Sequence, residues 1–192
     1  MSKNNITNQD PILVEDSISV HDYRNTISLF ATGVSVLIIE NKGEVRCMTA
    51  NAISSLSLEP IQLLVCPSKK AAFSELLGEG ARFSVNILGI HQEDVSNYFA
   101  GAKIDIEQSQ VHYEKLFSDT SSAPRLKDCL ASFSCKIAHQ YDGGDHWIVV
   151  GEVEELYKKE TSVEPLLFFG GKYHYPANPE DEHIKPAADP YQ

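Results

Sequence analysis

Apolar residues in this chain fall in short runs broken by polar and glycine-bearing segments, a pattern that predicts many strands and few helices. Residues 34–39 form a β-branched run, Asn41-Lys42-Gly43-Glu44 supplies a turn, and residues 45–49 return, which predicts a β-hairpin. Further strands are expected over 61–66, 82–88, 130–141, 147–157 and 166–169, with the long pair hinged at Gly143-Gly144. Three helices fit between them. The first is capped at Ser19-Val20-His21-Asp22, carries Tyr23, Ile27 and Phe30 at i, i+4 and i+7, and ends at Gly33; that spacing predicts a helix packed one-sidedly on a core. Residues 71–77 place Phe73, Leu76 and Leu77 on one side, and residues 91–99 carry a stripe of Val95, Tyr98 and Phe99 that reads as core.

The helices sit between hairpins and do not alternate regularly with strands, so the expected fold is mainly β with short helices (α+β), an antiparallel barrel and not a Rossmann fold. Neither G-x-G-x-x-G nor G-x-x-x-x-G-K-[ST] occurs, so a nucleotide would have to be bound another way. One domain is expected over 19–173. Residues 1–18 form a polar arm, 101–125 a long excursion of the kind that covers a site, and 174–192 an extended proline-bearing tail.

Charge narrows the choice of partners. The net charge of −11 argues against nucleic acid and anionic membranes, since both require a basic face. No apolar run approaches bilayer length, and Met1-Ser2-Lys3-Asn4-Asn5 lacks the apolar core of a secretory signal, so the expected location is the cytoplasm. The four cysteines are scattered without a C-x-x-C, and the histidines form no H-x-x-x-H, so no metal site is expected. Cys47 has two readings, a reactive thiol beside the residues discussed next or a packed side chain.

Candidate chemistry is concentrated in two segments. Thr49, Asn51, Ser54, Ser55 and Ser57 place four hydroxyls and one amide within nine residues. Such groups suit the polar rim of a flat ligand, while composition alone favours a Ser/Thr-rich turn bonding its own backbone. The second segment, Asp142-Gly143-Gly144-Asp145-His146, puts a histidine beyond a glycine turn. His146 can orient a nicotinamide, donate to a flavin or shuttle a proton, or it can be a satisfied histidine at a strand start; Asp145 can fix its tautomer or bond the turn. Ser68, Lys69 and Lys70, between a strand and a helix, suit a phosphate or form a solvated lysine pair. Lys172 is the candidate for a ligand charge beside Phe168 and Phe169.

In order and spacing these segments resemble the short-chain flavin reductases, the reductase components of two-component flavin-dependent monooxygenases and a branch of the FMN-binding split-barrel flavoproteins. The resemblance runs from about Tyr23 to Tyr173. It is carried by Tyr23-Arg24, Phe30-Ala31-Thr32-Gly33-Val34, Met48-Thr49-Ala50-Asn51 through Ser57-Leu58-Glu59-Pro60, Phe83-Ser84-Val85-Asn86-Ile87-Leu88, Phe99-Ala100-Gly101, Gly143-Gly144-Asp145-His146 and Leu166-Leu167-Phe168-Phe169.

The resemblance implies a split-barrel homodimer that reduces FMN or FAD with NADH or NADPH and supplies reduced flavin to a separate oxygenase. It implies that Thr49, Ala50 and Asn51 line the isoalloxazine, that Ser54 and Ser55 approach the ribityl chain and ring edge, and that backbone near Asn86 completes the wall. His146 falls where nicotinamide meets flavin. Two departures stand out. Ala71 and Phe73 occupy positions where the family usually has a Ser and a Thr for the flavin phosphate, and Gly170 stands where an arginine is frequent. Two alternatives keep the fold: a flavoprotein that retains its flavin and oxidises a substrate itself, and a non-enzymatic flavin-binding subunit.

Overall fold

In the computed structural model, the described residues are 18–78, 80–101, 116–118, 123–160 and 163–176. The expected N-terminal arm, most of the 101–125 excursion and most of the C-terminal tail lie outside them. Among the described residues no helix is long and apolar enough to cross a membrane.

Seven antiparallel strands form the main sheet: β2 (Ser35–Asn41), β3 (Glu44–Ala50), β4 (Ile53–Leu58), β5 (Ile61–Val65), β6 (Arg82–Ile87), β9 (Ala131–Gly143) and β10 (His146–Lys158). Their order is β3-β2-β6-β9-β10-β5-β4. The two edge strands, β3 and β4, are successive in sequence and joined only by Asn51-Ala52, so the sheet has to curl until its edges approach. The edges do not pair, and the antiparallel barrel that the sequence pattern predicts is the open, split one that the resemblance implies. A small sheet of β1 (Thr32–Gly33), β11 (Leu167–Phe169) and β12 (Lys172–His174) lies beside it, and β7 (Phe117–Ser118) pairs with β8 (Arg125–Leu126).

Strand β2 shows why this chain needs a barrel with a covered outside. Side chains alternate across a strand, yet Ser35 to Ile39 are all buried. Leu37 and Ile39 join the cluster of Phe73, Phe83, Val85, Cys135 and Val149, whereas Val36 and Ile38 join Val34, Leu88, Val95, Leu126 and Leu166 on the opposite face. Helix α2 (Ala72–Glu75) sends Phe73 into the first cluster, and helix α3 (Glu93–Phe99), which follows a 3-10 turn at Ile90–Gln92, roofs the second. Inside the barrel, Gly151 is needed for lack of a side chain. A Cβ there would sit 2.6 Å from Phe83 Cζ and 2.9 Å from Cys135 Cβ.

Turn chemistry places the hairpins. Lys42 and Gly43 both take positive φ (52° and 80°), the backbone that matches strand twist in a two-residue hairpin. The β9–β10 turn is centred one residue later than expected, on Gly144 (φ 81°) and Asp145, because Gly143 pairs with His146.

Three expectations are corrected. Helix α1 (Val20–Ile27), capped by Ser19 as predicted, has no buried residue, and Tyr23, Ile27 and Phe30 are exposed: the apolar spacing exists, but nothing within the described chain covers it. Gly33 does not end this helix; it lies in β1, paired with Leu167. The serine-rich segment after Asn51 is an edge strand and not a turn, with Ser54 and Ser55 paired to Leu64 and Leu63 of β5.

Candidate functional site

Where β3 passes into β4 the curled sheet leaves a cavity of about 960 Å³, within the range of small-molecule sites. Its walls come from α1 (Arg24, Asn25, Ile27), the segment from Phe30 to Ser35, Asn51 to Ile53, Ile87, and Phe168 with Gly170 and Gly171. Glycine, alanine, serine and threonine make up eight of the 17 lining residues, and beside them the backbone itself can approach a flat ligand. The Gly170-Gly171 turn of β11–β12 has positive φ at both positions (58° and 77°), and Gly170 N–H donates to Ser28 O (2.8 Å), tying the hairpin to the end of α1.

Of the sequence-predicted residues, Asn51 lines this cavity directly. Its Nδ2 donates to Thr32 Oγ1 (3.2 Å), and the residue is exposed. Thr49 and Ala50 line an adjoining niche of about 200 Å³ with Val34, Asn51, Phe168 and Tyr173. Thr49 Oγ1 donates to the Ser96 carbonyl at 2.6 Å, and the Ser96 hydroxyl shares a 2.8 Å hydrogen bond with the Tyr173 hydroxyl. One wholly buried serine of α3 therefore anchors both the β3 wall and the β12 wall of the site.

Ser54 and Ser55 lie outside the cavity lining, on the exposed edge strand, where Ser54 Oγ donates to Ser55 O at 3.0 Å. The wall expected from backbone near Asn86 does not involve its side-chain amide. The Asn86 side chain is wholly buried, with Nδ2 donating to Val36 O (3.0 Å) and Ser84 Oγ (2.9 Å) and Oδ1 accepting from Leu126 N–H (2.9 Å). That amide pins residue 126 over the barrel and cannot reach a ligand; its neighbour Ile87 supplies the wall.

His146 opens β10, with 45% of its side chain exposed, and its Nδ1 lies 2.7 Å from Asp145 Oδ1. The imidazole draws the Asp145 carboxyl below the usual carboxylate range, first by this hydrogen bond and then by charge. A backbone route links His146 to the cavity: Ala52 O, in the wall, accepts from Cys66 N–H (3.1 Å), and two residues on, Ser68 bridges His146.

In the expected phosphate group, the Ser68 hydroxyl accepts from Lys70 N–H (3.3 Å). Ser68 O accepts from Ser74 Oγ (2.7 Å), Lys70 is exposed, and Lys69 turns away to bond the Asp142 carboxylate. Phe73, at the position where a threonine was expected, is wholly buried against Phe83 (centroids 6.3 Å apart). Lys172 is exposed on β12, opposite Phe169. Among the described residues no cluster of histidine, cysteine, aspartate and glutamate could hold a metal ion. Burial pushes the Cys47 thiol up to about 12, so the packed-side-chain reading holds for it.

Sequence reasoning about chemistry missed Arg24, Asn25, Thr32, Ser35, Ser96 and Tyr173. Arg24, Thr32 and Phe168 sit inside segments that carry the resemblance, and those segments were the available signal. Ser96 carried none, since a serine within an amphipathic helix looks like any other polar position.

Comparison with known proteins bears on this site directly. A family model described as "Flavin reductase like domain" matches residues 27–177. The chain is 34% identical over 154 residues to the NADH-dependent flavin reductase StyB of Pseudomonas fluorescens, covering 79% of this chain and 87% of that protein. It is 35% identical over 154 residues to the reductase component of 4-hydroxyphenylacetate 3-monooxygenase from Thermus thermophilus, covering 79% and 93%. Among solved structures, the Streptomyces globisporus NADH:FAD oxidoreductase SgcE6 in complex with NAD and FAD fragments matches with a TM-score of 0.71 and 30% identity, over 84% of this chain and 94% of that one.

Proposed function

The chain belongs to the flavin reductase-like domain family, and from that premise we propose that it is an NADH-dependent flavin reductase that supplies reduced FMN or FAD to a separate monooxygenase. The observation that carries this is the cavity at the β3–β4 junction. Its volume, the small residues in its walls and the Asn51 amide suit a flat ring with a polar edge.

The two nucleotides supply the redox chemistry: a hydride passes from nicotinamide to flavin when both are bound. The protein's part is placement. Thr32 to Ser35, Asn51 to Ile53 and Phe168 wall the flavin cavity. The Ser96 anchor fixes the Thr49 and Tyr173 sides of the adjoining niche, so neither wall needs to rearrange as a ring is gripped. His146, held by Asp145, presents an imidazole from the β10 end for the nicotinamide. No side-chain nucleophile is required.

Retention of flavin is weak in this scheme. The positions of Ala71 and Phe73 offer no hydroxyl, and Lys69 is engaged elsewhere, so flavin behaves as a diffusible substrate.

A homodimer belongs to the same proposal. Ile18, Val20, Tyr23, Ile27, Leu29 and Phe30 are between 51% and 76% exposed along and beside α1. Such a contiguous apolar face calls for a cover, and because Ile27 and Phe30 also line the cavity, a second copy seated there would complete its outer wall. The cytoplasm, where reduced nicotinamide nucleotides are available, is the proposed location.

The test is NADH and NADPH oxidation by the purified protein in air with FMN, FAD or riboflavin added, alongside sedimentation to read the oligomer. Oxidation that depends on added flavin, from a dimer, is expected. Oxidation independent of added flavin would contradict diffusible use, and a monomer would contradict the shared cavity.

A further inference from the structure

Several contacts converge on residues 67–69 and tie the segment after β5 to the β9–β10 turn. Trp147 N–H donates to Pro67 O (2.9 Å), Lys69 N–H donates to Asp145 O (3.0 Å), and Ser68 and His146 form an antiparallel bridge. The Lys69 side chain adds a second layer. Its ammonium bonds the Asp142 carboxylate and lies 4.5 Å from the centroid of the Trp147 ring. Asp142 Oδ1 accepts from Gly144 N–H (3.0 Å) in turn. One lysine thus grips the hairpin on both strands, at Asp142 before the turn and at Trp147 after it, with His146 between.

We propose that Lys69 is a positioning residue for hydride transfer, clamping the turn that carries His146 in register with the strand ends that wall the cavity, and is not a partner of the flavin phosphate. The proposal rests on the reductase reading above. To reach a phosphate, the ammonium would have to leave both a carboxylate and an indole face, and its side chain is only 28% exposed.

The test is steady-state kinetics on the full chain for wild type, Lys69→Met, Lys69→Arg, Asp142→Asn and the Lys69→Met/Asp142→Asn double variant, varying NADH, FMN and riboflavin separately. For a partly exposed ion pair, Lys69→Met and Asp142→Asn are each expected to raise the KM for NADH about two- to fivefold, with the double variant no worse than either alone. Lys69→Arg is expected to retain the wild-type value, and the KM values for FMN and riboflavin to stay unchanged. A rise in KM for FMN that riboflavin does not share would make Lys69 a phosphate ligand and overturn the proposal. Additive losses in the double variant, or an unaltered KM for NADH, would overturn it too.

Trp147 is the only tryptophan in the chain, so acrylamide quenching gives a readout independent of turnover. Stronger quenching in Lys69→Met but not in Lys69→Arg is expected; equal quenching in all variants would remove the clamp. If the wild type oxidises no NADH with any flavin, the reductase reading falls, and the quenching comparison alone then decides whether the clamp exists.

Discussion

The hydroxyls of Tyr173 and Ser96 share a 2.8 Å hydrogen bond beneath the candidate flavin site, and Ser96 is wholly buried. The bond couples β12 to α3, and through the Ser96 carbonyl it couples both to Thr49. Tyr173→Phe keeps the ring contact with Phe168 (centroids 5.6 Å apart) and removes only this link. A net hydrogen bond of about 0.5–1.5 kcal/mol predicts a two- to tenfold weaker flavin affinity, measured by fluorescence titration. Unchanged affinity would mean that the hairpin wall holds its place without the anchor.

Asn86 predicts the opposite division of effects. Asn86→Leu leaves the Leu126 N–H in the core without its acceptor, and should destabilise the fold by about 1–3 kcal/mol in urea unfolding. Flavin affinity per folded molecule should remain as in wild type. A folded variant of full stability with lost flavin binding would restore Asn86 to the site.

Thiol labelling separates packed cysteines from reactive ones. Burial pushes both Cys47 and Cys135 up to about 12, so neither should react with an aromatic disulfide reagent at pH 8 in the native state. All four thiols should react once the chain is unfolded. Native labelling of Cys47 would contradict its packed position.

The clamp at Lys69 has a pH signature. The hydrogen bond from Lys69 first, then the Gly144 N–H and the lysine charge, hold the Asp142 carboxyl below its ordinary value of 3.8. Because the folded-state pKa is depressed, the stabilisation is fully present above the ordinary value and is lost only as pH falls through the lower, folded one. Trp147 fluorescence should therefore stay constant through the usual carboxylate range and change with a midpoint below 3.8. A midpoint at or above that value would show that the pair does not form in solution.

How far these features were legible in the sequence depends on what decided each one. The 35–50 hairpin was legible because Lys42-Gly43 between β-branched runs leaves few other backbones available. Strand β4 was hidden, since three serines at an exposed edge carry little of the β-branched signal that marks a strand, and its pairing with β5 decided the matter. The apolar spacing of α1 correctly gave a helix, but periodicity states that a face is apolar and not what lies against it.

At the site, Asn51 and its neighbours were legible from clustered polar groups and from the family pattern, and the cavity forms around them. Lys69 and Asn86 were not. Each carries the right chemistry for a ligand, and each is claimed by a partner 73 and 40 residues away in sequence, Asp142 and Leu126, which only the folded register brings near.

The central claim is tested most directly by mixing the protein anaerobically with a large excess of oxidised FMN and NADH and following flavin absorbance. Bleaching of the whole flavin pool by a catalytic amount of protein is the predicted result, since it requires both hydride transfer and release of the reduced product. Bleaching that stops at one flavin per site, or does not occur with FMN, FAD or riboflavin under either nicotinamide nucleotide, would contradict it.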